Sequence, residues 1–269
     1  LTPLTIDSTK LSSFAQQILS LPIVEKEPTF LKKDVDYIHL KSEEGLDFWL
    51  SKNPLNKIFN FEIRVDLGSY HNPKIPIAFR LLEKSGTKRF SPEELKKEWY
   101  KLGAEFNVRA TNNESIISLS GFDDKFKKTM DLLMELMFYP QVESSVLEEL
   151  KQIILAQRSD AKKDPEEIMR ALVQFNRLDK DSYYLKMLPE EQLKELTVDE
   201  LLEITKSLLQ YKHHIFYTGT LNNKKLKTIY NDYLNKELLE NTDAKKLDGN
   251  EAKSIISKLK EPPNYIYLK

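Results

Sequence analysis

The sequence predicts an α+β fold: a mixed, largely antiparallel sheet with helices packed on one face. Phe59, Phe61, Ile63, Val65 and Leu67 alternate with Asn60, Glu62, Arg64 and Asp66, the period of a strand with one buried face, which antiparallel sheets tolerate. Phe126, Met130, Leu133, Met134 and Met137 instead recur at helical spacing, the stripe of a helix pressed on a core.

The elements follow in order. Leu11, Phe14, Ile18 and Leu21 predict a leading helix within residues 8–21. Tyr37-Ile38-His39-Leu40, a turn at Glu44-Gly45, and alternating Leu46, Phe48 and Leu50 read as a hairpin. The strand Phe59 to Leu67 comes next, its polar face free to meet solvent or to line a cavity. Ile77 to Leu82 reads as a short helix that Ser85-Gly86 ends. Ser91, Pro92 and Glu94 then form a capping box ahead of Leu95, Trp99 and Leu102, and Gly103 stops that helix.

Phe106, Val108 and Ala110 pair with Ile117 and Leu119 across Asn112-Asn113, a turn sequence that tolerates positive φ. Pro140 marks the exit of the methionine-bearing helix. Ser145 with Glu148 predicts the cap of a helix carrying Leu147, Leu150 and Ile154, and Asp164-Pro165 opens another with Ile168, Leu172 and Phe175. Thr197 and Glu200 cap a helix with Leu201, Ile204 and Leu208. His214 to Tyr217 reads as a strand ending at Gly219, and Leu226, Ile229, Tyr230 and Tyr233 as a last helix. From Lys236 to Lys260 the chain is charged and loop-like, with turn residues at Asn241-Thr242-Asp243 and Asp248-Gly249-Asn250. Tyr265 to Leu268 reads as the first strand of a unit that is cut off.

Composition narrows the chemistry. With 269 residues, 40% hydrophobic and 31% charged, the chain can build a sizeable core. Its 41 Lys and Arg balance 42 Asp and Glu, which gives no electrostatic footprint for nucleic acid or an acidic membrane. Cysteine is absent, removing disulfides, thiolate nucleophiles and Cys-ligated zinc while leaving the compartment open. Apolar runs fall far below the ~20 residues that span a bilayer. Leu1-Thr2-Pro3 has neither an initiator Met nor an apolar leader, so the chain reads as excised or processed, with artificial ends.

Four histidines stand at positions 39, 71, 213 and 214. No two are four apart, so the paired imidazoles of a helical zinc site are missing. His213 and His214 would point to opposite sides of a strand, and all four read as surface or half-buried residues. The seven glycines form no phosphate loop. Glu93-Glu94, Glu148-Glu149 and Glu166-Glu167 sit in first helical turns, where capping and the helix dipole account for them. The methionine stripe reads as core rather than partner surface, and Tyr211, Phe216 and Tyr217 as sheet packing rather than a stacking site.

The order of several segments nevertheless resembles one family. They are Asn53-Pro54, Val65-Asp66-Leu67-Gly68, Leu82 to Lys88 with Gly86-Thr87 inside it, Ser91-Pro92-Glu93-Glu94-Leu95, Leu102-Gly103-Ala104-Glu105-Phe106-Asn107-Val108 and Tyr217-Thr218-Gly219. Together they resemble the pitrilysin and insulysin family of zinc metallopeptidases from about Asp34 to Gly219. The resemblance implies a pitrilysin or mitochondrial processing peptidase-like domain over residues 34–235. Residues 1–33 then form an interdomain linker with a helix, and residues 236–269 a connector and the truncated start of a following domain.

Active members of that family carry His-x-x-Glu-His on the helix before the Gly-Thr turn, with a further Glu ligand from a later helix. Anchoring on Gly86-Thr87 and on Asp164-Pro165 puts Ile77, Arg80, Leu81 and Gln157 at those positions. None of the four keeps ligand or base chemistry: Ile and Leu lack lone pairs, and Arg is cationic. The resemblance therefore implies a non-catalytic domain, the third of four, with no catalytic residue and no metal of its own. Zinc is expected in the N-terminal half of the parent protein. The expected partners are the other domains of the polypeptide and a peptide substrate in an enclosed chamber, without nucleic acid or membrane. The alternative is a structural or assembly subunit that has lost catalysis throughout. The resemblance is closest to bacterial two-half members, which favours the periplasm over the cytoplasm.

Overall fold

The computed structural model describes residues 10–22, 26–41, 46–241 and 259–263. It divides into a short unit, Leu1–Lys32, and a large one, Lys33–Lys269. The short unit holds α1 (Ser13–Ser20), where the Ser12 hydroxyl accepts a hydrogen bond from the Ala15 amide. Phe14, Ile18 and Leu21 have the expected helical spacing, but all three are exposed.

The large unit opens with β1 (Ile38–Lys41) and β2 (Asp47–Lys52), which pair antiparallel as the alternating pattern predicts. The turn placed at Glu44-Gly45 lies outside the described residues. In β3 (Ile58–Val65) the predicted alternation is realised: Phe59, Phe61, Ile63 and Val65 are fully buried. Then come α2 (Ile75–Leu82), β4 (Gly86–Thr87), α3 (Pro92–Leu102), β5 (Glu105–Ala110) and β6 (Ser115–Phe122). A single 3-10 turn leads into α4 (Phe126–Phe138), followed by β7 (Pro140–Gln141), α5 (Ser144–Ala161), α6 (Pro165–Leu178), α7 (Tyr183–Lys186) and α8 (Glu190–Glu195). The last elements are α9 (Val198–Leu208), β8 (His213–Gly219) and α10 (Asn223–Asn241).

The main sheet runs β1-β2-β8-β3-β6-β5. All pairs are antiparallel except β2 with β8. The strand predicted at His214 to Tyr217 is thus central, between two strands formed more than a hundred residues earlier. A sequence pattern fixes which residues of a strand are buried and not which strand lies beside it.

Several local readings change. Gly86 has no left-handed backbone and begins β4, which pairs with β7. A Cβ there would lie 2.4 Å from the Phe90 carbonyl oxygen, so close approach, not a helix stop, demands glycine. Ser145 does not cap α5: the helix starts at Ser144 after Glu143, with no side-chain cap. Asn112 and Asn113 do not take positive φ. Their turn is held by the Thr111 hydroxyl, which accepts from the Asn113 and Glu114 amides. The last helix continues to Asn241, into the stretch read as connector from Lys236, because Leu234 and Glu237 are still buried on it. The turns at 241–243 and 248–250 and the strand at 265–268 fall wholly or mostly outside the described residues. The capping box at Ser91 and Glu94 is present, and Gly103 ends α3 at φ 57°. Asp164 and Thr197 cap α6 and α9 as expected.

Two apolar clusters hold the large unit. The first lies under the sheet and gathers Phe61, Ile63 and Ile215 with Met130, Met134 and Met137 of α4 and Tyr230 of α10. The methionines are therefore core. The second cluster joins Ile77, Ala78 and Leu81 to Leu150 and Ile154 of α5 and Leu201 of α9. Helix α2 serves both, with Ile75, Phe79 and Leu82 turned to the first. A helix apolar nearly all round is expected to be buried on both sides.

Candidate functional site

Arg80 is the polar exception on α2. Its neighbours Ile77 and Leu81 are buried in the second cluster, while its guanidinium reaches across to α5, where Nη1 donates to Gln157 Oε1 at 3.2 Å. The residues singled out on two distant segments therefore meet. Ile77, Arg80 and Gln157 border a cavity of about 1050 Å³, which α6 and residues 182–190 complete.

The sequence reading missed part of this cavity. Arg158, next to Gln157, donates from Nη1 to the Leu188 carbonyl at 2.8 Å and so fixes the segment before α8. Lys151, buried on the same helix, donates to the Lys194 carbonyl at 2.8 Å and to Glu148 at 2.7 Å. Ile168, Leu172 and Phe175 line the cavity from α6 and stay exposed. Their spacing announced an amphipathic helix, but the spacing of apolar residues is the same whether a face is covered or left open.

The donor chemistry at this site is poor for a metal. Among the described residues no group of three or more His, Cys, Asp or Glu is arranged to hold a metal ion. Nor is any described helix long and apolar enough to cross a membrane.

The histidines do other work. His39 is hydrogen bonded to Asp47 at 3.0 Å and stacks on Trp49, and His214 lies 3.5 Å from both Asp47 and Asp66. His213 is neither at the surface nor half-buried but fully buried. Its Nδ1 faces the Tyr211 carbonyl at 2.6 Å and its Nε2 the Tyr230 hydroxyl at 2.5 Å. A carbonyl only accepts, so Nδ1 carries the proton and Nε2 accepts from Tyr230. Burial depresses the His213 pKa to about 4, the Tyr211 carbonyl partly offsetting it.

A second polar network is structural. Asp123 accepts from the Tyr217 hydroxyl at 2.7 Å, the Thr220 hydroxyl at 2.7 Å and the Thr220 amide at 3.1 Å, and Tyr217 accepts from the Leu221 amide at 3.0 Å. Burial, then the Asp123 carboxylate, pushes the Tyr217 pKa up. The aromatic residues singled out earlier are thus packing groups: Tyr217 is buried, and Phe216 stacks on Trp49 with Arg64 over its ring at 4.7 Å. Lys260 lies over the Tyr211 ring.

Comparison with known proteins agrees with this architecture. The model of the insulinase family, peptidase family M16, matches residues 49–191, more than half of the chain. No curated protein sequence matches it significantly. The inactive domain of an M16 peptidase from Pseudomonas fluorescens superposes with a TM-score of 0.63 at 16% identity, over 74% of this chain and 50% of that one. The periplasmic protease PqqL from Escherichia coli gives 0.65 at 15% identity, over 87% of this chain and 26% of that one. The ferredoxin protease FusC, in complex with Arabidopsis ferredoxin, gives 0.63 at 15% identity, over 87% and 26%. At these identities the likeness is one of fold, and the chain spans half or less of each of these structures.

Proposed function

Because the chain belongs to the insulinase family of peptidases, family M16, we propose that it is a non-catalytic domain of a zinc metalloendopeptidase, whose hydrolytic site lies elsewhere in the parent protein. One observation carries the reading. Arg80 and Gln157, which motif anchoring puts in place of the catalytic Glu and a metal-binding Glu, touch each other across one cavity. The residues in the two remaining places, Ile77 and Leu81, stand on the same helix.

This set does not fit zinc. Two aliphatic side chains donate no electron pair, a guanidinium repels a cation and cannot deprotonate water, and a neutral amide is a weak substitute for a carboxylate. The hydrolytic step therefore takes place outside this domain. Its contribution is a wall of the chamber that encloses the peptide substrate, and the zinc is expected in the N-terminal half. A periplasmic location is favoured by the earlier resemblance, and one structural neighbour is a periplasmic protease.

The test is metal content. After incubation with excess zinc and desalting, elemental analysis is expected to find only traces in this chain, and a quenched fluorescent peptide should stay uncut. Retention of one zinc per chain would overturn the reading.

A further inference from the structure

The cavity between α2, α5 and α6 has two unlike walls. On the α6 side, Ile168, Leu172 and Phe175 are 44%, 64% and 49% exposed, and Leu185 extends the apolar surface. Contiguous exposed apolar side chains on one cavity wall suit contact with apolar groups of an occupant.

On the other side stand Arg80, Arg158 and Lys162. Arg80 is bonded to a neutral amide and Arg158 to a carbonyl. Among the described residues none of the three has a carboxylate in ion-pair contact. Of the cavity's own carboxylates, Glu167 is bonded to Arg170 at 2.6 Å, and Glu190 is bonded to Lys194 at 2.8 Å while acting on Lys162 and Arg158 only at longer range. The cavity's fourth cation, Lys186, is paired with Asp181 at 2.9 Å. Ser182, fully buried at the edge, has a hydroxyl with no hydrogen-bond partner among the described residues.

Three cations without a bonded carboxylate, offset only at longer range by Glu190 beside Arg158 and Lys162 and by Glu83 beside Arg80, leave a positive potential on a concave wall. A neutral apolar occupant would cover those cations without pairing them, which is costly, and a small anion would leave the α6 row wet. The complementary occupant carries carboxylates along one side and apolar side chains along the other. At about 1050 Å³ the cavity also reaches the upper end of the range for small ligands, roughly 300–1,000 Å³. We propose that it binds an acidic amphipathic peptide segment, carboxylates on Arg80, Arg158 and Lys162 and apolar side chains on Ile168, Leu172 and Phe175. The assignment deepens the non-catalytic reading and rests on it in one respect, that the cavity binds peptide without cutting it.

Fluorescence anisotropy of the 269-residue chain with a labelled peptide of Glu, Leu and Phe at helical spacing tests it. Saturable binding is expected, weakened by added salt and by at least about tenfold when Gln replaces Glu, a change of ~1.4 kcal/mol. Arg80→Glu with Lys162→Glu should abolish binding, and so should Leu172→Asp. Circular dichroism checks the fold of each variant; Lys162→Ala and Leu172→Ser, at exposed positions, serve if the first set misfolds. Equal affinity for the Gln peptide, or no binding, overturns the proposal. Dodecanoate binding that the peptide fails to displace does so too, as does self-association of the chain that Leu172→Asp removes. Retained zinc with intact peptide binding would defeat only the non-catalytic reading; absent zinc with no peptide binding would defeat only this one.

Discussion

His213 is fully buried in the large unit, and its surroundings accept only the neutral ring. Its pKa lies below the usual histidine value, so between about pH 6.5 and pH 4 the unfolded chain binds a proton that the folded chain refuses. The stability that goes with the neutral ring is complete above pH 6.5 and lost as pH falls towards 4, up to about 3 kcal/mol in all. Urea midpoints measured across that window should fall with acid, and His213→Gln should flatten the dependence. Tyr217 gives a second residue-scale expectation. Tyr217→Phe removes a donor to Asp123 and the acceptor of the Leu221 amide, and leaving such buried groups unpaired costs about 1–3 kcal/mol. Gly219 belongs to the same corner, since a Cβ there would lie 2.1 Å from the Tyr217 hydroxyl oxygen. Denaturant titration of the Tyr217 variant checks the cost. The motif Tyr217-Thr218-Gly219, which contributed to the family resemblance, is thus explained by packing and hydrogen bonding.

At the scale of elements, α4 and α6 show what amphipathic spacing leaves open. Both carry apolar residues three and four apart, yet Leu133 of α4 is fully buried while Leu172 of α6 is exposed. Leu133→Ala should cost about 2–5 kcal/mol, whereas Leu172→Asp should stay within about 0.5 kcal/mol, as surface changes do. Thermal denaturation of the two variants separates the cases, and a large loss at Leu172 would mean that α6 is itself core. Caps were easier to read than burial. Ser91, Asp164 and Thr197 each bond within their own first turn, so residues a few positions apart settle the outcome. Ser145 failed as a cap because Glu143 is where the extended chain turns into helix, and that point is set by β7 pairing with β4 just before it.

For the whole large unit, α2 ties the two apolar clusters together, with Phe79 in one and Ala78 and Leu81 in the other. Neither cluster can open without exposing a face of this helix. Unfolding of the large unit should accordingly be a single transition. Tryptophan fluorescence, reporting on Trp49 and Trp99, should coincide with far-UV circular dichroism across a urea titration. Two separated midpoints would show that the second cluster melts independently. The same geometry places Arg80 on the free edge of a doubly buried helix, a rigid mount for a side chain that faces the cavity.

Sequence alone determined the alternation that buries one face of β3 and the capped starts of α3, α6 and α9. These depend on side-chain type and on spacings of a few residues, which the chain carries with it. Only tertiary structure decided that β8 lies parallel to β2 inside the sheet, that Arg80 meets Gln157, and that the apolar row of α6 faces a cavity. Those outcomes join segments tens to more than a hundred residues apart, and local periodicity carries no information about which distant segment becomes the neighbour.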